Sequence, residues 1–125
     1  MMIYHITTRK AWRAALATGD YRAESLSTEG FIHCSTLSQI LPVAESLYKD
    51  KRRVVILLIK PARLSSAVKW EAPSGGTPPP GVPAGETFPH VYGPIDLDAV
   101  KSVLDLERNR EGVFELPEDL QRPDD

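Results

Sequence analysis

The chain has 125 residues, 42% of them hydrophobic and 26% charged, with a net charge of -2 at pH 7. That length fits one domain, and the near-balanced charge gives no global attraction to nucleic acid or to an anionic membrane. The single cysteine, Cys34, excludes an intrachain disulfide and fits a reducing compartment.

Residues 2–6 read as a short strand, with Tyr4 and Ile6 on one face and His5 on the other. Thr7 or Thr8 can cap a helix over residues 9–17, where Trp12, Ala15 and Leu16 have helical spacing, and Gly19 supplies a stop. Arg9 and Lys10 follow the first apolar residues rather than precede them, so no secretory leader is expected. Residues 31–34 read as a second strand that runs into a helix start. Thr36-x-x-Gln39 has the form of a capping box, and Ile40, Leu41, Ala44, Leu47 and Tyr48 supply the apolar stripe. Pro42 predicts that this helix begins late or is kinked. The basic cluster Lys49, Lys51, Arg52 and Arg53 reads as a solvated helix end.

Residues 53–59 form the strongest strand pattern, β-branched and continuous enough to be buried on both faces. The aliphatic run within it is far too short to cross a bilayer, and a cytoplasmic, soluble protein is the expectation. Pro61 ends the strand, and residues 67–71 suggest another. Residues 72–90 hold six of the eleven prolines and four of the eight glycines, which predicts an irregular lid or a disordered segment. Residues 91–92 should return to a sheet, 97–100 form a helical turn, and 102–106 make the last core strand. A frayed acidic tail is expected over 117–125. The pattern as a whole predicts a single α+β domain over 1–116, with a small, mostly antiparallel sheet and two main helices.

All three histidines sit in apolar or aromatic segments: Tyr4-His5-Ile6-Thr7, Phe31-Ile32-His33-Cys34-Ser35-Thr36 and Phe88-Pro89-His90-Val91-Tyr92-Gly93. Imidazole titrates closest to neutral pH, so three held in an apolar setting predict one polar cleft if the segments converge. His5 and Thr7 stand at a strand-to-helix junction, where a ligand can meet free helix amides; Thr7 can equally serve as the cap. Ser35 and Thr36 repeat that arrangement, with capping the competing role for Thr36. Alternation puts Cys34 opposite His33, which reads as a small buried hydrophobe rather than a nucleophile. His90 and Tyr92 share a strand face and can bind and stack on a polar ring. Glu71, beside Trp70, is a candidate acid or base.

Three histidines also raise a zinc-binding, hydrolase-like alternative, but none has the pair spacing of a metal motif, and no metal ligand is assigned. G-x-G-x-x-G, G-x-x-x-x-G-K, G-x-S-x-G and C-x-x-C are all absent from the sequence.

Ile3-Tyr4-His5-Ile6, residues 29–35, Lys69-Trp70-Glu71 and residues 88–94 together resemble domain-of-unknown-function family 952. The resemblance runs from Ile3 to about Leu106, with the Pro/Gly loop as an elaboration. That family is distantly similar to the ADP-ribosyltransferase superfold, which implies a split antiparallel β-core with an NAD-binding cleft. His5-Ile6-Thr7 resembles the superfold's early His-x-Thr element, with Ile6 where glycine is common. A middle position falls near His33 or Ser35. The superfold's late Glu or Gln, which steadies an oxocarbenium-like transition state, has no matching counterpart in this sequence, a departure from classical ADP-ribosyl transfer that leaves Glu71 or His90 as the candidates for that place.

The resulting expectation is a protein that binds or processes NAD, as substrate, or another ribosylated small molecule. His5, His33, Glu71 and His90 are the candidate catalytic residues, and Thr7, Ser35, Thr36 and Tyr92 the candidate ligand contacts. The alternative is a non-catalytic ligand-binding or regulatory module using the same pocket.

Overall fold

A computed structural model describes residues 1–121. Strand β1 (Ile3–Thr7) leads into helix α1 (Arg9–Thr18), followed by β2 (Asp20–Tyr21), α2 (Glu24–Thr28) and β3 (Ile32–His33). A 3-10 turn at Leu37–Gln39 enters α3 (Ile40–Leu47), and β4 (Arg53–Ile59) and β5 (Val68–Glu71) follow. Then come β6 (Phe88–Val91), β7 (Ile95–Asp96), a 3-10 turn at Leu97–Ala99, β8 (Val100–Arg108), β9 (Phe114–Glu115) and α4 (Glu118–Gln121).

The strands form a four-stranded sheet β1-β4-β8-β9, a three-stranded sheet β3-β6-β5 and a two-stranded ribbon β2-β7, every described pairing being antiparallel. The larger sheets are stitched together where the chain leaves β3: Tyr4 and Ser35 exchange both backbone hydrogen bonds, at 2.9 and 2.7 Å. This is an α+β architecture in which α1 and α3 are the two longer helices.

Period-two alternation in β1 and β4 divides the apolar residues between two cores. Ile3, Val55, Leu57 and Ile59 pack with α1 and the smaller sheets, around Ala15, Ile32, Cys34 and Val91. Tyr4, Ile6, Val54, Ile56 and Leu58 pack on the other face with Ile40, Ala44, Leu106 and Phe114. His5 lies opposite Tyr4 and Ile6, on the first of these faces, as alternation requires.

Local signals explain the helix ends. Thr8 accepts a hydrogen bond from the Ala11 N–H, and Gly19 ends α1 with φ 104° while its N–H donates to the Ala15 carbonyl. Pro42 is tolerated because it falls in the first turn of α3, where its missing N–H would have had no intrahelical partner. The 3-10 turn before it is the late start that Pro42 predicts.

Several expectations need correction. The irregular segment ends at Thr87, because Phe88, Pro89 and His90 already belong to β6. Residues 102–106 lie within a longer β8 and are not the last strand, since β9 pairs with its end at Glu107 and Arg108. Within the expected acidic tail, Glu118–Gln121 is helical and Leu120 is buried in the second core. The rest of that expected tail, 122–125, lies outside the described residues. No helix of the described residues is long and apolar enough to cross a membrane.

Arg108 clamps α3 to the β8–β9 turn. Its guanidinium donates to Glu45 Oε1 and to the carbonyls of Tyr48, Lys51 and Gly112 at 2.7–2.9 Å, and lies 3.9 Å from the Phe114 ring centre. With its side chain 10% exposed, Arg108→Ala strands several acceptors and removes ring packing. A loss of about 2 kcal/mol is expected in urea unfolding; an unchanged midpoint would show the clamp to be idle.

Candidate functional site

A cleft of about 930 Å³ opens between β1, the β3 exit, α3 and the Pro-rich loop. His5, Thr7, His33, Ser35 and His90 all line it, so the three histidine segments converge. Pro73, Ser74, Thr77 and Pro78 to Pro80 form part of its rim. Thr36 is not among the lining residues; its N–H is bonded to Gln39 Oε1 at 2.9 Å, the capping role. Glu71 and Tyr92 also stay out of the lining and stand behind His90.

His90 is held from behind. Antiparallel pairing sets Lys69 opposite His90 and Glu71 opposite Phe88, and Glu71 Oε1 meets both His90 Nδ1 at 2.7 Å and the Tyr92 hydroxyl at 2.6 Å. The Tyr92 hydroxyl, and after it His90, hold the Glu71 carboxyl below the usual carboxylate range. An ionised Glu71 only accepts, so His90 presents Nδ1–H to it. His90 Nε2 has no partner among the described residues. No fully buried side-chain polar atom there lacks one, so Nε2 opens to the cleft although the side chain is 3% exposed. Phe31 stacks on His90 with ring centres 4.1 Å apart and fixes the ring plane.

His33 is arranged similarly. Its Nε2 lies 3.0 Å from Glu29 Oε2, and the Ser74 hydroxyl donates to Glu29 Oε1 at 2.8 Å. His33 first, then Ser74, lower the Glu29 carboxyl below its ordinary value. The His33 and His90 ring centres are 5.4 Å apart and nearly perpendicular. Two imidazoles, each backed by a carboxylate, therefore face one cleft.

His5 differs. Its Nδ1 lies 2.6 Å from the His33 carbonyl oxygen and its Nε2 lies 2.8 Å from the Tyr21 hydroxyl. Both nitrogens are engaged inside the protein, so the arrangement leaves His5 no free nitrogen to offer a ligand. Burial lowers its pKa to about 4, against the opposing pull of the His33 carbonyl. The Tyr21 and Thr7 hydroxyls are 2.9 Å apart, and burial raises the Tyr21 phenol to about 12. Thr7 Oγ1 thus accepts from the Tyr21 hydroxyl, and capping falls to Thr8. Ser35 is 4% exposed, lines the cleft, and has no side-chain hydrogen bond among the described residues. Cys34 is buried, and desolvation pushes its thiol well up, which suits packing rather than nucleophilic attack.

Tyr21, Glu29 and Ser74 were not anticipated as site residues. Tyr21 lies in a two-residue strand, and Ser74 in an irregular loop, so neither carries a local pattern. Among the described residues, no group of three or more His, Cys, Asp or Glu side chains is placed to hold a metal ion, and the zinc-binding alternative finds no ligand set there.

The fold and cleft define a small α+β protein with a curled, mostly antiparallel core and a cleft lined by three histidines. The chain belongs to the DUF952 family of proteins of unknown function, whose model matches residues 6–103. A crystal structure of protein CC0527 from Caulobacter crescentus is similar at 30% identity and TM-score 0.79, covering 98% of this chain and 100% of that one. A solution structure of CC0527 gives 31% identity and TM-score 0.69 over 90% of each chain. A search of the curated proteins found no match.

Proposed function

We propose that the cleft binds and processes a ribosylated small molecule, NAD included, with His90 and His33 moving protons at the bound ligand. The observation that carries this reading is the pair of carboxylate-backed imidazoles, 5.4 Å apart between ring centres, on one cleft. Backing of this kind holds an imidazole in one tautomer and stabilises the imidazolium formed when it takes a proton.

For hydrolysis of an N-glycosidic bond, His90 Nε2 takes a proton from water as the water oxygen bonds to the ribosyl carbon. The carbon–nitrogen bond breaks and its electron pair leaves with the base. Glu29 lines the cleft as an ionised carboxylate and is better placed than Glu71 to steady the positive charge that develops on the sugar. Ser35 hydrogen-bonds a ligand hydroxyl, and His5 acts through Tyr21 and Thr7. The split antiparallel core supports the ADP-ribosyltransferase-like reading of the fold, and the buried free thiol of Cys34 supports a cytoplasmic setting.

The test is calorimetric titration with NAD and nicotinamide riboside, followed together with nicotinamide release. Saturable heat with turnover is expected. Saturable heat without turnover would make the protein a ligand-binding module, and no saturable heat for either compound would remove the ribosylated ligand.

A further inference from the structure

We propose that the α3 end of this cleft is a second subsite, which takes a planar aromatic group of the nucleobase type joined to the ribosyl unit. The inference rests on the ribosylated-ligand reading and extends it from a nucleoside to a dinucleotide-sized ligand.

The first observation is a second apolar face on α3. Ile40 and Ala44 are fully buried in the core, whereas Val43, Ser46 and Leu47, at i, i+3 and i+4, share a face that lines the cleft. Leu47 belongs to the apolar stripe read in the sequence, yet it is 63% exposed. Tyr48 lines the same wall, with its hydroxyl donating to the Ile6 carbonyl at 3.3 Å. One exposed leucine alone would mean little; here it stands in a concave wall with other apolar groups.

The second observation is the loop that faces this wall. At one end the Ser74 hydroxyl is tied to Glu29, the partner of His33. At the other, Gly81 has φ 95° and lies so close to α3 that a Cβ there would meet the Pro42 ring at 3.3 Å. Val82 is buried, and the Gln39 side-chain amide donates to Glu86 Oε1 and the Thr87 carbonyl, both at 3.0 Å. The loop therefore runs from the histidines to the start of α3, and Pro78, Pro79 and Pro80 line the cleft just before it arrives. The charged lining residues, Arg22, Glu24 and Glu29, come from residues 22–29, and none from α3 or the loop.

Size and shape select the occupant. At about 930 Å³ the cleft stands near the top of the range for small-molecule sites, roughly 300–1,000 Å³, which leaves room beyond a nucleoside held at the histidines. Proline rings and a tyrosine present flat faces that a planar ring covers. The Ser46 hydroxyl, without a side-chain partner among the described residues, can read the polar edge of such a ring; an alkyl chain would leave it idle.

The test is calorimetry with NAD and nicotinamide riboside on wild type and Leu47→Ser. NAD is expected to bind wild type about tenfold tighter than the riboside or more. Leu47→Ser trims apolar surface at an exposed position and should weaken NAD by about fivefold, while an unchanged riboside affinity shows that the fold and the histidine end are intact. NAD no tighter than the riboside, or a variant that weakens both alike or neither, overturns the inference and leaves the ribosylated ligand standing. Octyl riboside binding wild type more tightly than NAD would assign the subsite to an alkyl chain and overturn it equally. Binding of neither NAD nor the riboside removes both readings.

Discussion

Lowering the pH from 6.5 to 4 is expected to remove about 3 kcal/mol of folding stability through His5 alone. The unfolded chain protonates this imidazole near 6.5, whereas burial holds the folded form neutral down to about 4. Between those values the unfolded state binds one more proton, so stability falls as pH falls, by about 1.4 kcal/mol per pH unit. The contribution is fully present above 6.5 and gone below 4. Glu29, Glu45, Glu71 and Asp96, whose carboxyls are all lowered by hydrogen bonds, add stability that is lost only as pH drops through their own folded values. Their effect is common to wild type and a His5→Asn variant and largely cancels in the difference. Unfolding of both proteins across this range should show a variant that is less stable at neutral pH and has the flatter curve. Parallel curves would mean that His5 is not held neutral by the fold.

The second large effect concerns His90. His90→Gln removes the cleft-facing Nε2 lone pair, and turnover of a bound ribosylated ligand should fall by about 100-fold or more. Glu71→Gln keeps an oxygen for Nδ1–H but loses the charge that stabilises the imidazolium, so a smaller fall, about tenfold, is expected. Binding should persist in both variants, because Ser35, Thr7 and the loop rim are untouched. A variant that binds and turns over like wild type would place the chemistry elsewhere. A loss of binding equal to the loss of rate would make His90 a ligand contact without a proton-transfer role.

Much of this site is legible in local patterns. His5 between Tyr4 and Ile6 has its face assigned by alternation, Thr8 and Gly19 bracket α1 by capping chemistry, and Thr36 is engaged with Gln39 as its spacing requires. His90 and Tyr92 share a face, and both reach Glu71. What is not legible is non-local. Glu71 serves His90 only because β5 and β6 pair in one register across a loop of residues 72–87, and a loop that long erases the register signal that a tight turn would carry. Tyr21 reaches His5 and Thr7 from a two-residue strand paired, among the described residues, with Asp96 and Ile95. The role of His5 itself turns on that partner: the sequence marks a reactive imidazole, whereas Tyr21 and the His33 carbonyl make it an internal one.

The most direct test of the central claim is long-range proton–nitrogen NMR of the three imidazoles at falling pH, with and without nicotinamide riboside. His5 should stay neutral, with its proton on Nδ1, until about pH 4, and the compound should shift His33 and His90 together. A His5 that becomes doubly protonated near pH 6.5, or a compound that binds and moves neither His33 nor His90, would contradict it.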